Sequence, residues 1–345
     1  MPERNKQRSI LTKLLKMKRF ITENGCLSRP DYLIVSVCLM LLTGQPLRAQ
    51  ENQLPVELKE TGGAIQVLVG PKGGQDLFTE YRWKDLAKPA LYPIMAPGQV
   101  AITRHFPFDK SHESEANDHP HHKSLWFAHG DVNGADYWSE KAKIQNRTVG
   151  LLDDGKLVAT HEWLSPDGDQ VLCIDRTEMQ FWATDKLRFI DYTVTVSPHN
   201  EPVTFGDTKE GTFGLRTHPA LRIVDRDRKP VATAFNSRGV KGADIWGKAA
   251  EWVHYAGEIG GENYSITVMD HPDSFRAPTT WHAREYGLIA ANPFGLSYFQ
   301  KKPKGSGDFT VAPGESVTFR YGVLLSRGKL GKAEIDRVFE LFSSK

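Results

Sequence analysis

The segment Asp118-His119-Pro120-His121-His122-Lys123-Ser124-Leu125-Trp126-Phe127-Ala128-His129-Gly130-Asp131 holds four of the chain's twelve histidines, with two carboxylates and a tryptophan among them. Imidazole is the side chain whose charge changes nearest neutral pH, and it is the commonest metal ligand. The segment therefore points to proton transfer, metal binding, or both. In an extended chain His119 and His121 face one side, about 7 Å apart at their Cα atoms, and His122 faces the other. His119 and His121 can serve one metal ion, with a third ligand drawn from His105, His218 or His282. His129 lies about 27 Å beyond His121 along a strand and cannot join them. No metal is assigned; a divalent ion, if present, would sit on His119 and His121. The other chemistry is a sugar site. Trp126, Trp138 and Trp281 offer flat apolar faces to a pyranose ring, and histidines and carboxylates move hydroxyl protons. The bland alternative makes Leu125 and Phe127 core and the polar residues the cap of a strand.

A second constellation is Lys209-Glu210-Gly211-Thr212-Phe213-Gly214-Leu215-Arg216-Thr217-His218. On a strand Arg216 and His218 share a side. Glu210, at the strand's start, has the chemistry of a general acid or base; otherwise it is a solvated loop carboxylate. The third runs from Trp281 through His282, Arg284, Asn292 and Pro293 to Gly295. His282 and Arg284 share a face if extended. Arg284 can bind a substrate carboxylate or pair with Glu210, and Asn292-Pro293 marks a turn. His282 alternatively is a hydrogen-bonded core residue. The catalytic candidates are thus His121, His122, Glu210 and His282. The substrate-binding candidates are His105, His119, Trp126, Lys209, Arg216, Trp281, Arg284 and Asn292.

Strands must display these residues. Ile190, Tyr192, Val194 and Val196 alternate with Asp191, Thr193 and Thr195, and 317–325 alternates likewise. That period of two marks strands with one face on a core. Further strands are expected at 64–69, 99–104, 123–129, 144–151, 156–164, 170–182, 212–224, 264–269 and 286–291. Turn signals such as Asp153-Asp154-Gly155 and Pro166-Asp167-Gly168 separate them. The expected fold is all-β, a large antiparallel β-sandwich, with one short C-terminal helix. That helix carries Ala333, Ile335, Val338, Phe339, Leu341 and Phe342 at helical spacing and is expected to pack on the sandwich edge.

The N-terminus reads as a secretory signal peptide over residues 1–49. Eight Lys and Arg precede residue 30, an eleven-residue apolar run spans Tyr32 to Leu42, and small Ala49 is the expected cleavage site. The run is too short to cross a bilayer comfortably, which takes about 20 residues. Residues 50–345 then form a single exported domain, periplasmic or extracellular, without stable membrane insertion. Cys173 is its lone cysteine, so the fold rests on its core and not on a disulfide. Net charge is only +2, and without a basic stripe nucleic acid is excluded as a partner.

The three segments together resemble the bacterial PmoA family, labelled "methane oxygenase PmoA". The matching stretches are 118–130, Lys209-Glu210-Gly211 and Ala291-Asn292-Pro293-Phe294-Gly295. The label implies a metal-dependent oxygenase. No segment after the leader is long and apolar enough to span a membrane, so the label names relatives and leaves the reaction open. The stretch 311–321 is similar to the last strands of galactose-mutarotase-like supersandwiches, and His121-His122-Lys123-Ser124 is similar to their histidine-containing strand entry. This likeness implies a sugar bound in an open β cleft, with histidine and glutamate as acid and base. The leading expectation is an exported carbohydrate-active enzyme of mutarotase/epimerase, lyase or hydrolase type, acting on a small-molecule or oligosaccharide substrate. The alternatives are a non-catalytic carbohydrate-binding protein and the oxygenase of the label.

Overall fold

Apolar side chains from two large antiparallel sheets meet face to face in the computed structural model, which describes residues 53–113, 115–152 and 154–345. The expected signal peptide lies outside the described residues. In chain order the strands are β1 (Val56–Thr61), β2 (Ala64–Val69), β3 (Asp76–Arg82), β4 (Ala90–Ala96), β5 (Val100–Ala101), β6 (Leu125–Phe127), β7 (Ile144–Leu151), β8 (Leu157–Leu164), β9 (Val171–Ala183), β10 (Leu187–Pro198), β11 (Val203–Phe205), β12 (Phe213–Arg216), β13 (Thr233–Asn236), β14 (Trp252–Ile259), β15 (Glu262–Asp270), β16 (Thr280–Trp281), β17 (Leu288–Asn292), β18 (Phe309–Val311) and β19 (Val317–Arg327). The first sheet runs β1-β2-β3-β4-β6-β12-β17-β16, with β5 paired to β4. The second runs β13-β14-β15-β19-β10-β9-β8-β7, and β11 pairs with β18. Asn52–Lys345 clusters as one compact unit.

The alternation in β10 and β19 does what it promised. Ile190, Val194, Phe319, Tyr321 and Val323 are buried. Tyr192 and Tyr321 meet Phe213 of β12, and Phe319 meets Phe127 of β6. Each such side chain contributes roughly 2–3 kcal/mol by leaving water. A helix over Leu296–Phe299 is α1, and the C-terminal helix Lys332–Ser343 is α2. The edge placement expected for α2 is corrected. Its Ile335 and Phe342 pack on Trp252, Met269 and Leu324, which stand on the outer face of central strands β14, β15 and β19. That face carries enough apolar surface to need a cover.

A buried polar chain ties the sheets together. The Asp175 carboxylate on β9 accepts from His161 Nδ1 at 2.7 Å, Trp163 Nε1 at 2.7 Å and the Thr177 hydroxyl at 2.8 Å. His161 Nε2 then accepts from the Tyr81 hydroxyl, 2.5 Å away on β3 of the other sheet. All five residues are at most 3% exposed.

Three expected strands are shorter than the sequence suggested, and of 99–104 only β5 (Val100–Ala101) forms. Residues 123–129 yield only β6, because Ser124 takes a positive φ of 62°. Residues 212–224 end as a strand at Arg216. There Pro219, which has no N–H for a ladder, opens a one-turn 3₁₀ helix over Pro219–Leu221. The His218 side chain caps it by accepting from the Ala220 N–H at 3.1 Å. Arg216 and His218 therefore do not share a strand face.

Candidate functional site

The histidine segment enters β6 through a reversal, not as a strand. His119 has a φ of 45°, the His122 N–H donates to the His119 carbonyl at 3.0 Å, and the Ser124 N–H to the His122 carbonyl at 3.2 Å. The expected opposition of His122 to His119 and His121 is therefore corrected. The tight turn gathers all three imidazoles. His119 and His122 stack at 4.7 Å between centroids, His121 stands edge-on to His122 at 4.6 Å, and His119 to His121 is 5.7 Å.

Two buried arginines hold this turn. Arg104 donates to the carbonyls of Phe106, Ala116 and His119 and to Asp118. Arg216, at the end of β12, reaches both Asp118 oxygens at 3.0 and 3.3 Å and lies 3.1 Å from His122 Nδ1. Burial alone would raise the Asp118 carboxyl, but the hydrogen bond from His119 and the two guanidiniums outweigh it and hold the group well below the usual carboxylate range.

The same contacts separate the roles of His121 and His122. A guanidinium only donates, so His122 Nδ1 must accept, and its ring proton sits on Nε2. Burial and the neighbouring Arg216 push the His122 pKa far below neutral. It cannot serve as a base, which corrects its place among the catalytic candidates. His121 is half-buried. Burial, with Lys88 and His119 beside it, lowers its pKa to about 4. Neither of its ring nitrogens has a hydrogen-bond partner among the described residues, so a neutral imidazole stands free to give or take a proton.

Glu210, whose charge acts on this imidazole, sits on a loop pinned at almost every carbonyl. The Gly206 carbonyl accepts from His129 Nε2 at 2.8 Å, and the Thr208 carbonyl from Asn292 Nδ2 at 2.9 Å. The Lys209 carbonyl accepts from His282 Nδ1 at 2.8 Å, and the Glu210 carbonyl from the Gly130 N–H at 2.7 Å. Gly130 is required here, since a Cβ would lie 2.8 Å from that of Glu210. The histidine, Lys-Glu-Gly and Asn-Pro segments thus meet to fix one loop. Glu210 Oε1 pairs with Lys209 Nζ at 2.8 Å. Its charge acts on His121, His282 and Tyr286. Because the Lys209 carbonyl can only accept, His282 donates through Nδ1. Burial lowers its pKa to about 4, which leaves Nε2 as a free lone pair.

Several expected ligand contacts are corrected. Trp126 is 0% exposed and lies under His122, 5.2 Å between ring centroids; it floors the cluster and cannot stack on a substrate. Trp281 is equally buried and donates its Nε1–H to the Ala250 carbonyl. The buried Asn292 side chain is consumed by Thr208, Phe294 and Gly295. His105 accepts or donates at the Tyr92 hydroxyl and stacks on His112 at 3.8 Å, in the loop behind Arg104. Arg216 is buried in the Asp118 pairing. His119, Lys209 and Arg284 remain exposed at the mouth, and Arg284 does not pair with Glu210. For a metal, the fit is poor. Among the described residues no three His, Cys, Asp or Glu side chains group to hold an ion, and the guanidiniums beside His119 and His122 repel one.

Sequence reasoning passed over Lys88, Arg104, Glu140 and Tyr286. Lys88 is fully buried and donates to the Trp138 carbonyl at 2.7 Å. Its Nζ lies 3.1 Å from Glu140. Burial lowers its pKa to about 8 against the pull of Glu140. Glu140 also meets Lys123 at 3.4 Å. Tyr286 stacks with His119 at 5.4 Å beneath Arg216. Its position two residues after Arg284, inside a motif already singled out, was the available signal.

The fold and this cluster define a large antiparallel β-sandwich protein with a histidine–carboxylate site beside β6 and β12. The chain belongs to the family of unknown function DUF6807, which matches residues 71–340 and so takes in all three segments. No curated protein matches it. Among solved structures it is similar to a galactose mutarotase-like protein from Lactobacillus casei ATCC 334, at 12% identity over 79% of this chain and 100% of that one, TM-score 0.34. A galactose mutarotase-like protein from Clostridium acetobutylicum gives 9% over 80% and 99%, TM-score 0.31. An α-galactosidase from Lactobacillus brevis gives 9% over 81% of this chain but only 40% of its own length, TM-score 0.33. Likeness at that level leaves the reaction to be argued from the residues themselves.

Proposed function

We propose that this protein is an exported enzyme that acts on a sugar or glycoside by proton transfer between His121 and Glu210. The observation that carries the reading is His121 itself. It is a neutral, half-buried imidazole with both nitrogens unengaged among the described residues, and the Glu210 charge acts on it. General acid–base catalysis needs such a group within reach of the proton it moves, and typically contributes about 10²–10⁴-fold. His121 takes a substrate hydroxyl proton as base and, once protonated, returns it to a ring or glycosidic oxygen, while Glu210 serves the opposite face. His282 Nε2 accepts a substrate hydroxyl. Burial raises the Tyr286 phenol above its usual value, so it stays protonated and donates. Epimerisation, elimination and hydrolysis all use this pairing.

The test is a panel of reducing mono- and disaccharides followed by proton NMR across pH. As a base, His121 works only when neutral, so kcat/KM is expected to rise with pH through about 4 and to stay level towards neutrality. A rate that falls as pH rises through that value removes His121 as the base.

A further inference from the structure

We infer that the substrate of this site is an anionic sugar, a uronate or other carboxylated saccharide, whose carboxylate is held by Arg284. The inference rests on the acid–base reading above and adds the substrate's charge to it. Six cationic side chains surround the cluster: Lys88, Arg104, Lys123, Lys209, Arg216 and Arg284. Three carboxylates pair with five of them, and Glu115 and Asp136 act on Arg104 and Lys88 without pairing with them. Asp118 is shared by Arg104 and Arg216, Glu140 is shared by Lys88 and Lys123, and Glu210 is taken by Lys209.

Arg284 is thus the one of the six without a carboxylate partner among the described residues. His121, His122 and His282 add no positive charge near neutral pH, and no other carboxylate pairs with these cations among the described residues. An unpaired guanidinium beside the cluster attracts an anion.

Arg284 is the cation positioned to receive it. Its backbone is fixed, with the N–H donating to Leu288 and the carbonyl accepting from Gly287 and the Tyr255 hydroxyl. Its exposed guanidinium makes no hydrogen bond or ion pair among the described residues, and lies 5.8 Å from the Tyr286 ring centre. A planar fork with all its N–H donors open matches a carboxylate in two parallel hydrogen bonds. Arg284 also acts electrostatically on both His282 and Tyr286. A carboxylate seated there sets the sugar beside Tyr286 and His282, the two groups on which Arg284 acts.

The experiment is calorimetric titration of the full-length chain with glucuronate and galacturonate, and with glucose and galactose as their neutral counterparts. At least one uronate is expected to bind roughly 10- to 100-fold tighter than its neutral partner. Arg284→Ala is expected to abolish that preference and Arg284→Lys to keep part of it, because an ammonium supplies the charge without the fork. Arg284 is exposed, so both variants fold. Equal affinity for charged and neutral sugars, or a preference that survives Arg284→Ala, overturns the inference. If neutral sugars bind and are turned over in a manner that depends on His121 and Glu210, the acid–base reading stands without it. If none of the four binds, both fall.

Discussion

Glu210→Gln and His121→Ala are each expected to lower sugar turnover by about 10²–10⁴-fold while leaving the thermal midpoint nearly unchanged. The reasoning is local. Glu210 is fixed by its backbone, through Gly130, and its side chain touches only Lys209. A glutamine keeps the shape and removes the proton-accepting charge. His121 has no hydrogen bond to lose among the described residues, so truncating it leaves no stranded partner. His122→Ala behaves differently. It removes the stacked layer between His119 and Trp126 and leaves Arg216 without its ring acceptor, so stability and activity both fall. If Glu210→Gln and His121→Ala turn sugar over at wild-type rates, the pairing is wrong. If they lose activity only by unfolding, the two groups are structural.

The second large effect is on stability. Asp175→Ala is expected to cost about 3–5 kcal/mol and to lower the thermal midpoint by roughly 10 °C. The substitution strands three buried donors at once, from His161, Trp163 and Thr177. It also frees the His161 ring, whose other nitrogen meets Tyr81 across the sandwich. Thr177→Val removes a single donor and is expected to cost about 1 kcal/mol. Denaturant unfolding of the two variants measures both. A loss below about 1 kcal/mol for Asp175→Ala would mean the chain does not tie the sheets.

What was legible in the sequence follows from burial. β2, β8, β10 and the first half of β19 were readable because buried and part-exposed positions alternate along them. β14 was not, since its first six residues are all buried and the alternation vanishes. β4 hid behind Pro93, a residue that argues against a strand interior. At the site, the three segments were correctly singled out as belonging together, yet their division of labour was not. Asn292 and His129 hold the Glu210 loop, and nothing in their type distinguishes a loop clamp from a ligand contact. Trp126 and Trp281 look like sugar platforms by chemistry alone; only their burial rules that out. Arg104 and Lys88 reach the cluster from 14 or more residues upstream of Asp118. Sequence spacing therefore gave no hint that they charge the site.

The most direct measurement is a crystal structure with a bound sugar. The account expects a ring or glycosidic oxygen within about 2.6–3.2 Å of the His121 imidazole, with Glu210 on the opposing face and His119 and Arg284 at the rim. A sugar found instead only on the outer face of the second sheet, in the groove around Trp182, Gln180 and Asp191, with His121 untouched, would contradict it.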